Sequence, residues 1–271
     1  KVVYRRHTNF SMEAIEQTWN GSSKTDGRCT ATISRNGDLV YRMYIEVHAD
    51  DVTSAVNNPG AAMITDVELE IGGQKIDKQT GLFMEVWAEL TEPNPTGHVG
   101  QTDGTTSTTF QKMSGMGGVE YKTGECRHFI PLQFWFCRNP GLALPLIALQ
   151  YHEVKVILNQ LVNSMYATVK EQRLWCDYIY LDTDERRRFA QVSHEYLIEQ
   201  VQEQSVTTGA GSKDLNFNHP VKELIWTGTT NGANFQAADK SVTSVGTGTV
   251  QLKLNGHDRF AARDYRYFTR T

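Results

Sequence analysis

Apolar and polar residues alternate with a period of two in several segments, and this pattern predicts β-strands. Such strands present one face to a core and the other to water or to a partner. The positions that share an apolar strand face are Leu39, Tyr41, Met43, Ile45 and Val47; Val67, Leu69 and Ile71; Val154, Val156 and Leu158; and Val250, Leu252 and Leu254. Ile130 to Cys137 and Leu174 to Leu181 are apolar on both faces, which predicts central strands that are covered on both sides.

Turn signals separate these segments. The dipeptides Asn36-Gly37, Gly72-Gly73 and Asn255-Gly256 predict hairpin turns, because Gly and Asn accept the positive φ of primed turns. Many short strands with long connections favour a β-sandwich. The sequence therefore predicts an all-β fold.

Helical patterns are few and short. An apolar stripe from Leu82 to Leu90 predicts one helix that ends before Pro93. Asp182, three residues before Glu185, predicts a capping box on a second short helix. We interpret the basic run 186–188 in this helix as a solvated face or an interface.

Two stretches have loop composition, and an internal repeat lies across the second. Glu92 to Gly124 is rich in Gly, Thr and Ser and predicts a long exposed loop, while Ser205 to Lys213 has linker composition. The segments Leu69–Lys75 and Leu252–Asp258 share an alternating strand and an X-Gly turn at an offset of 183 residues. We therefore expect a first sandwich over residues 1–204, a linker over 205–213, and an incomplete second sandwich over 214–271.

Composition narrows the class of protein. Of the 271 residues, 39% are hydrophobic and 21% charged, with a net charge of −4, as in globular proteins without a basic nucleic-acid face. The longest apolar run, Gly141 to Leu149, is too short to span a bilayer. The four cysteines form no C-x-x-C pair, and we interpret them as reduced core residues: Cys29, Cys126, Cys137 and Cys176.

A search for catalytic or metal-binding motifs gives none. The chain has no G-x-S-x-G, phosphate-loop or G-x-G-x-x-G motif. His152-Glu153 and His194-Glu195 open like zinc-protease motifs but lack the second histidine, and we interpret Cys126 with His128 as sheet residues. We therefore predict no catalytic residue, no cofactor-binding residue and no metal ligand.

A carbohydrate-binding or carbohydrate-cleaving β-sandwich is the competing hypothesis. Glycosidases of this shape use paired carboxylates, and the candidates are Glu68 with Glu70 and the acidic group 182–185. Surface positions on a strand and at a helix N-terminus account for both sets without catalysis. Trp19, Trp87 and Trp226 could form a sugar platform, although core packing is the favoured use.

Seven longer motifs point to a family. The chain resembles the major capsid proteins of the nucleocytoplasmic large DNA viruses, and those of the algal chloroviruses in particular. The motifs that carry the resemblance are Tyr4–Phe10, Ser34–Leu39, Asp66–Asp77, Pro140–Lys155, Phe189–Gln191, His194–Gln200 and Leu215–Pro220.

The resemblance implies a structural protein and not an enzyme. It implies a double jelly roll, complete in its first sandwich and truncated in its second, that forms homotrimers with a pseudo-hexagonal outline. Such capsomers tile the icosahedral capsid of a large double-stranded DNA virus, assembled in the host cytoplasm, with Glu92 to Gly124 on the outside. The implied partners are further copies of the chain, minor capsid and penton proteins, and an internal membrane reached through other proteins, without direct nucleic-acid contact.

Overall fold

The chain is described by a computed structural model over residue 3 and residues 7–52, 59–92, 124–206, 211–226, 248–264 and 267–270. Its contacts divide it into two compact units, Lys1–Glu203 and Gln204–Thr271. The predicted loop from Glu92 to Gly124 falls almost wholly in 93–123, outside the described residues, and stays a prediction.

The described residues of the first unit form ten strands. They are β1 (Phe10–Gln17), β2 (Trp19–Gly21), β3 (Gly27–Thr32), β4 (Leu39–Val52), β5 (Ile64–Ile71), β6 (Gln74–Thr80), β7 (Glu125–Pro131), β8 (Leu144–Pro145), β9 (Val154–Gln160) and β10 (Tyr166–Leu181). The α-helices of this unit are α1 (Pro59–Ala62), α2 (Gly81–Thr91), α3 (Trp135–Arg138) and α4 (Thr183–Gln191), with 3-10 turns at Pro140–Leu142 and Val162–Ser164.

The strands form two five-stranded sheets with jelly-roll topology. The first sheet has the order β1-β10-β4-β7, with β8 added to β4, and the second sheet has the order β2-β3-β9-β5-β6. Numbered one to eight in chain order, the eight longest strands follow 1-8-3-6 in the first sheet and 2-7-4-5 in the second. First therefore pairs with last, second with seventh, third with sixth and fourth with fifth, all antiparallel. This is one long antiparallel ribbon rolled into a sandwich, as in jelly rolls.

The tip of the ribbon is the β5–β6 turn. Gly72 and Gly73 have φ of 60° and 82°, values that suit a two-residue primed turn. Ile71 is paired with Gln74 across this turn. The predicted hairpin at Gly72-Gly73 is confirmed.

Apolar side chains from both sheets fill one core. Among the most buried are Met43, Ile45, Leu69, Val156, Leu158, Leu174, Tyr166 and Tyr178. β10 lies between β1 and β4, so the central position predicted for 174–181 is confirmed. The predicted cover on both faces is wrong for the described residues, because Trp175 and Asp177 on the outer face are only half-buried. The predicted strand at 130–137 is wrong beyond Pro131, because the chain leaves β7 there and turns into α3. The apolar residues of α3 are buried because the helix packs into the core, and an apolar run of eight does not distinguish these cases.

The alternating pattern of β4 conceals a bulge. Met43 is paired with Cys176 and Val40 with Tyr178. Between these two pairs β4 contains one residue more than β10. Val40 and Met43 both enter the main core, while Leu39 and Tyr41 pack in a separate small cluster with Ile179. The prediction that Leu39 and Tyr41 share a face with Met43 is therefore wrong, because an extra residue reverses the alternation.

The two predicted helices are present. Thr80 caps α2 by accepting a hydrogen bond from the Phe83 amide through its side chain at 3.2 Å. The helix α4 follows Asp182, but the Asp182 side chain makes no capping hydrogen bond, and the predicted capping box is wrong. Its carbonyl accepts from the Arg186 amide instead.

The dipeptide Asn36-Gly37 does not form the predicted hairpin. The strands on either side of it, β3 and β4, belong to different sheets, so the connection crosses from one sheet to the other. Gly37 has no positive φ, and a Cβ there would lie 2.8 Å from the Cβ of Tyr178. Glycine is needed at this position for close packing and not for a primed turn.

The second unit contains two short hairpin-like pairs among its described residues. Its strands are β11 (Thr249–Val250), β12 (Lys253–Leu254), β13 (His257–Asp258) and β14 (Arg263–Asp264), and its helix is α5 (Tyr267–Arg270). Asn255 and Gly256, with φ of 51° and 80°, connect β12 to β13. The predicted hairpin at Asn255-Gly256 is confirmed. Of the strand predicted over 250–254, only Val250, Lys253 and Leu254 lie in paired strands.

The internal repeat holds at the level of register. Leu254 pairs with His257, and Ile71 pairs with Gln74. Each pair maps onto the other at the offset of 183 residues that the sequence repeat gives. Both turns have two residues of positive φ, so the two segments share one backbone design.

Candidate assembly surfaces

The histidines that most resembled metal or catalytic motifs contact neighbouring parts of the first unit. No group of three or more His, Cys, Asp and Glu side chains is placed to hold a metal ion in the described part of the chain. His194 lies outside the helices and strands, and its Nε2 contacts the carbonyl oxygen of Phe189 at 2.8 Å. His152 is exposed, and its ring packs over Gly72, where a Cβ would lie 2.6 Å from Nδ1.

Cys126 and His128 both lie on the buried face of β7. The His128 ring is 1% exposed, and its Nδ1 is hydrogen-bonded to the Tyr166 hydroxyl at 2.8 Å. All four cysteines are free and buried, as predicted. Burial raises the pKa of Cys29 and of Cys137 to about 12, so neither thiol is a thiolate near neutral pH.

The outer face of the second sheet is a ladder of carboxylates and lysines. Lys75 reaches Glu68 at 2.6 Å, and Lys78 reaches Asp66 at 3.2 Å. The hydrogen bond that Lys78 donates to the Asp66 carboxylate raises the pKa of Lys78. Glu70, the other candidate carboxylate, has Lys155 3.9 Å away. These carboxylates are largely covered and are paired with lysines on the outer sheet face, which fits a ladder of cross-strand ion pairs.

The outer face of the first sheet combines aromatic rings with a buried carboxylate. The Tyr44 ring lies 6.5 Å from that of Trp175 and 6.3 Å from that of Phe129. Glu46 is 6% exposed and accepts hydrogen bonds from Trp175 Nε1, at 2.7 Å, and from Arg127. Burial alone would raise the pKa of Glu46, but these two hydrogen bonds and the positive charges of Arg127 and Arg173 together outweigh it, so the pKa is lowered.

Farther along β4 the same face becomes fully polar. The His48 ring contacts Glu125 and lies 3.9 Å from Glu171. Lys170 pairs with Asp50 at 2.6 Å. A face with an aromatic centre and charged surroundings has the composition typical of a protein–protein interface.

Each of the three tryptophans makes packing contacts within its own unit. Trp19 packs against the main core, and Trp87 lies between Phe83, at 5.9 Å, and the Arg138 guanidinium, at 4.3 Å. Trp226 is 52% exposed and contacts Phe268 within the second unit. Trp19 and Trp87 therefore pack inside the first unit, as the sequence favoured.

The basic run of α4 is divided between structure and solvent. Arg186 bonds to Asp38, whose carboxylate also accepts from the Leu181 amide at 2.8 Å. Arg188 is mostly exposed, with Glu185 3.8 Å away. One arginine thus fastens α4 to the turn before β4, and the interpretation as a solvated face holds for Arg188.

Among the described residues, the edge strands are β1, β7 and the short β8 in the first sheet, and β2 and β6 in the second. β1 is the most exposed of them, with Phe10 54% and Met12 48% exposed. Edge strands offer free backbone groups to other chains. No helix in the described residues has the length and apolar character to cross a membrane.

Two family models match the chain and together cover nearly all of it. "Major capsid protein N-terminus" matches residues 1–182, and "large eukaryotic DNA virus major capsid protein" matches residues 185–271. The chain belongs to the major capsid protein family of large eukaryotic DNA viruses. The resemblance inferred from the sequence motifs is therefore confirmed.

Curated relatives of this capsid family agree. The chain is 48% identical to the major capsid protein of Pyramimonas orientalis virus over 99% of its own length and 67% of the relative. It is 42% identical to that of Phaeocystis pouchetii virus over 83% of its length and 53% of the relative, and 37% identical to that of Paramecium bursaria Chlorella virus 1 over 100% and 71%. The chain thus spans about half to two thirds of the length of several relatives.

A solved capsid structure matches the whole chain. VP54 of the virus PBCV-1 superimposes with a TM-score of 0.74 at 33% identity, covering 100% of this chain and 75% of VP54. A quasi-atomic model of the PBCV-1 capsid matches equally well. VP54 is a double jelly-roll capsid protein, and the predicted all-β double jelly roll is confirmed. The carbohydrate-active sandwich is not favoured by these matches.

Proposed function

We propose that the chain builds capsomers: three copies associate into a homotrimer, and the trimers tile the icosahedral shell of a large double-stranded DNA virus. The observation that carries this proposal is the match over 100% of the chain to a protein of an assembled capsid, at 33% identity. A major capsid protein functions by binding further copies of itself. The number of copies in each capsomer, three, is our addition to this inference.

The internal duplication supports a threefold assembly. The β5–β6 and β12–β13 hairpins have the same register, which favours two sandwiches of one design in each polypeptide. Three such chains around one axis present six similar sides. One kind of subunit can then fill a hexagonal lattice with closed threefold symmetry inside each capsomer.

The surfaces of the first unit suit two kinds of contact. The aromatic centre of the first sheet, with Tyr44, Phe129 and Trp175, fits an extensive contact within the trimer. The paired charges on the second sheet fit smaller polar contacts between trimers, which suffice because each is repeated many times over the shell.

The remaining assignments follow from the same proposal. We assign the first jelly roll to residues 1–204, a linker to 205–213 and the beginning of the second jelly roll to 214–271. We propose minor capsid and penton proteins as further partners, an internal membrane reached only through other proteins, and no direct nucleic-acid contact. We also propose assembly in the host cytoplasm and a purely structural role without a catalytic, cofactor or metal site.

The oligomeric mass of the full-length protein tests the proposal. We expect light scattering behind a sizing column to give three times the chain mass, and electron micrographs to show hexagonal particles that form flat arrays. As a matched pair, Phe129→Asp should weaken the trimer, whereas Lys75→Asp on the other sheet face should affect only the arrays. A monomer that binds a glycan would overturn the proposal.

A further inference from the structure

The chain leaves the first jelly roll as an extended strap along the open edge of the second sheet. We define the strap as residues 192–203; it contains no helix or strand. Gln200 Nε2 donates to the Ile76 carbonyl, and the Val201 amide donates to Asp77 Oδ1 at 2.9 Å. The order of these contacts shows that the strap runs parallel to β6.

A third contact continues the series. Thr80 Oγ1 donates to Glu203 Oε2 at 2.9 Å, so strap positions 200, 201 and 203 meet β6 positions 76, 77 and 80 in order. Two of these contacts use a side chain of the strap, Gln200 and Glu203, and two use a side chain of β6, Asp77 and Thr80. The strap therefore covers the edge of β6 through side chains as well as backbone.

Asp77 is the centre of this arrangement. It is 3% exposed, and its Oδ1 accepts from both the Val201 and Lys78 amides at 2.9 Å. Its Oδ2 accepts from Gln79 Nε2 at 2.9 Å. Burial raises the pKa of Asp77, and the hydrogen bonds to its oxygens act against that rise. Both oxygens act as acceptors, so an amide at this position would turn an NH₂ group toward at least one donor.

Arg138 forms a second contact with the strap, at Glu199, one residue before Gln200. Its Nη1 donates to Glu199 Oε2 at 3.0 Å, and its Nε donates to the Gln133 carbonyl at 2.9 Å. The same Gln133 carbonyl accepts from Gln79 Nε2 at 3.0 Å, which links the contacts that Asp77 and Arg138 make with the strap. The Arg138 guanidinium also lies 4.3 Å from the centre of the Trp87 ring. The arginine is thus held in place from two elements before it reaches the strap.

We propose that Asp77 and Arg138 form a clasp that locks the strap onto the edge of β6 and so fixes the path on which the chain leaves the first jelly roll. An edge strand of seven residues offers backbone groups to foreign strands, and the clasped strap occupies that edge. The clasp acts within one chain and does not depend on the proposed trimer. It keeps the last segment of the first unit in one conformation, which lowers the ordering cost of any later assembly.

Hydrogen exchange on the 271-residue chain tests the clasp, because the Val201 amide reports directly on its bond to Asp77. In Asp77→Asn we expect exchange at Val201 to become roughly tenfold to a hundredfold faster, the range for loss of a hydrogen bond to a charged group. Arg138→Gln should accelerate exchange of the peptide that holds residues 199–203. Protease cleavage within the strap should accelerate in parallel, while amides in β4 and β10 keep their protection.

The matched control is Asp177→Asn. Asp177 is a carboxylate on β10 whose pKa is likewise raised by burial, but it lies on the other sheet. Its replacement should leave exchange of the strap unchanged. Unchanged strap exchange in both Asp77→Asn and Arg138→Gln would overturn the clasp. If Asp77→Asn does not fold, Glu199→Gln decides the question, since the partly exposed Glu199 contributes to the clasp without supporting the core.

Discussion

The β5–β6 hairpin of the first unit and the β12–β13 hairpin of the second have the same backbone and different surroundings. Both have a two-residue turn of positive φ and the same register. In the first, Leu69 is fully buried and β5 is paired on its other side with β9. In the second, Leu254 is 53% exposed, and the hairpin's two-residue strands form a sheet of their own.

The difference shows that the turn sets the register of a hairpin, whereas the surrounding sheet buries its apolar face. Residues at the turn set the local register in both hairpins. Burial of the apolar face comes only where a neighbouring strand and an opposing sheet are present, and an isolated two-stranded hairpin is marginally stable in water. The two hairpins are therefore a natural pair for measuring how much of the stability of β5–β6 comes from its neighbours.

Hydrogen exchange should show the largest contrast. Amides of β5 that bond to β9 should open only when the first unit unfolds, while those of β12 should exchange through local opening, about a thousandfold or more faster. The measurement is exchange followed by peptide mass analysis on the 271-residue chain. Strong protection from Val250 to Leu254 in a monomer would show that the second unit completes itself, contrary to the expectation of an incomplete sandwich.

Truncation of equivalent leucines should give the next largest effect. Leu69→Ala should lower the free energy of unfolding by about 2–5 kcal/mol, as for other buried leucines, and Leu254→Ala by no more than about 0.5 kcal/mol. Denaturant titration with thiol labelling measures the cost of Leu69→Ala, because all four cysteines are buried in the first unit. Hydrogen exchange of the β12 amides measures the cost of Leu254→Ala in the second unit. Equal costs at the two sites would mean that Leu254 is covered in solution.

Replacing the turn glycines by alanine should distinguish the cost of backbone strain at positive φ from the cost of a steric clash of the added Cβ. Gly72→Ala should cost more than the roughly 1–2 kcal/mol expected for a left-handed residue, because its Cβ would meet the His152 ring at 2.6 Å. Gly73→Ala and Gly256→Ala, where nothing lies within 4 Å of the added Cβ, should show the strain alone. Thermal unfolding of the three variants measures the difference. A smaller loss for Gly72→Ala together with His152→Ala would identify the clash.

The cross-strand ion pairs should give the smallest effect. Lys78→Met should lower stability by up to about 1 kcal/mol at pH 7, and Lys253→Met by less, because the Lys253–Asp258 pair is exposed on both sides. Asp66 raises the pKa of Lys78 in the folded state, so this contribution is complete below the unfolded lysine pKa and is lost as pH rises through the folded one. Urea titrations at pH 7 and near pH 11 test the sign; a larger cost at the higher pH would contradict it.

Several sequence predictions failed for a common physical reason. The run 130–137 reads as a strand, yet its second half is the helix α3, because core packing rewards apolar residues in either conformation. The bulge in β4 leaves no mark on the alternating pattern, since it depends on the pairing of Met43 and Val40 with β10. Asn36-Gly37 has a hairpin composition, but its position between two sheets makes it a crossover.

The clasp could not be predicted from the sequence at all. Asp77 looks like an ordinary polar residue of a strand. Its hydrogen-bond donor Val201 and the other residue of the clasp, Arg138, each lie more than 60 residues away. The candidate assembly surfaces were only partly predictable. Alternation indicated that β4 and β5 would expose polar faces, but the aromatic group of Tyr44, Phe129 and Trp175 comes from three strands that meet only in the folded sheet.

The sequence by itself determined the local and the repeated features. Alternation with turn glycines determined the strands around Leu69 and Val156, and the repeat at an offset of 183 residues determined the matching hairpin at Asn255 and Gly256. Long motifs determined the family. Only the tertiary structure decided the jelly-roll pairing of first strand with last, the bulge in β4, and the burial of Asp77 beneath the strap. These features depend on contacts between distant parts of the chain, whose free energy exists only when the other partner is already in place, so no local pattern can encode them.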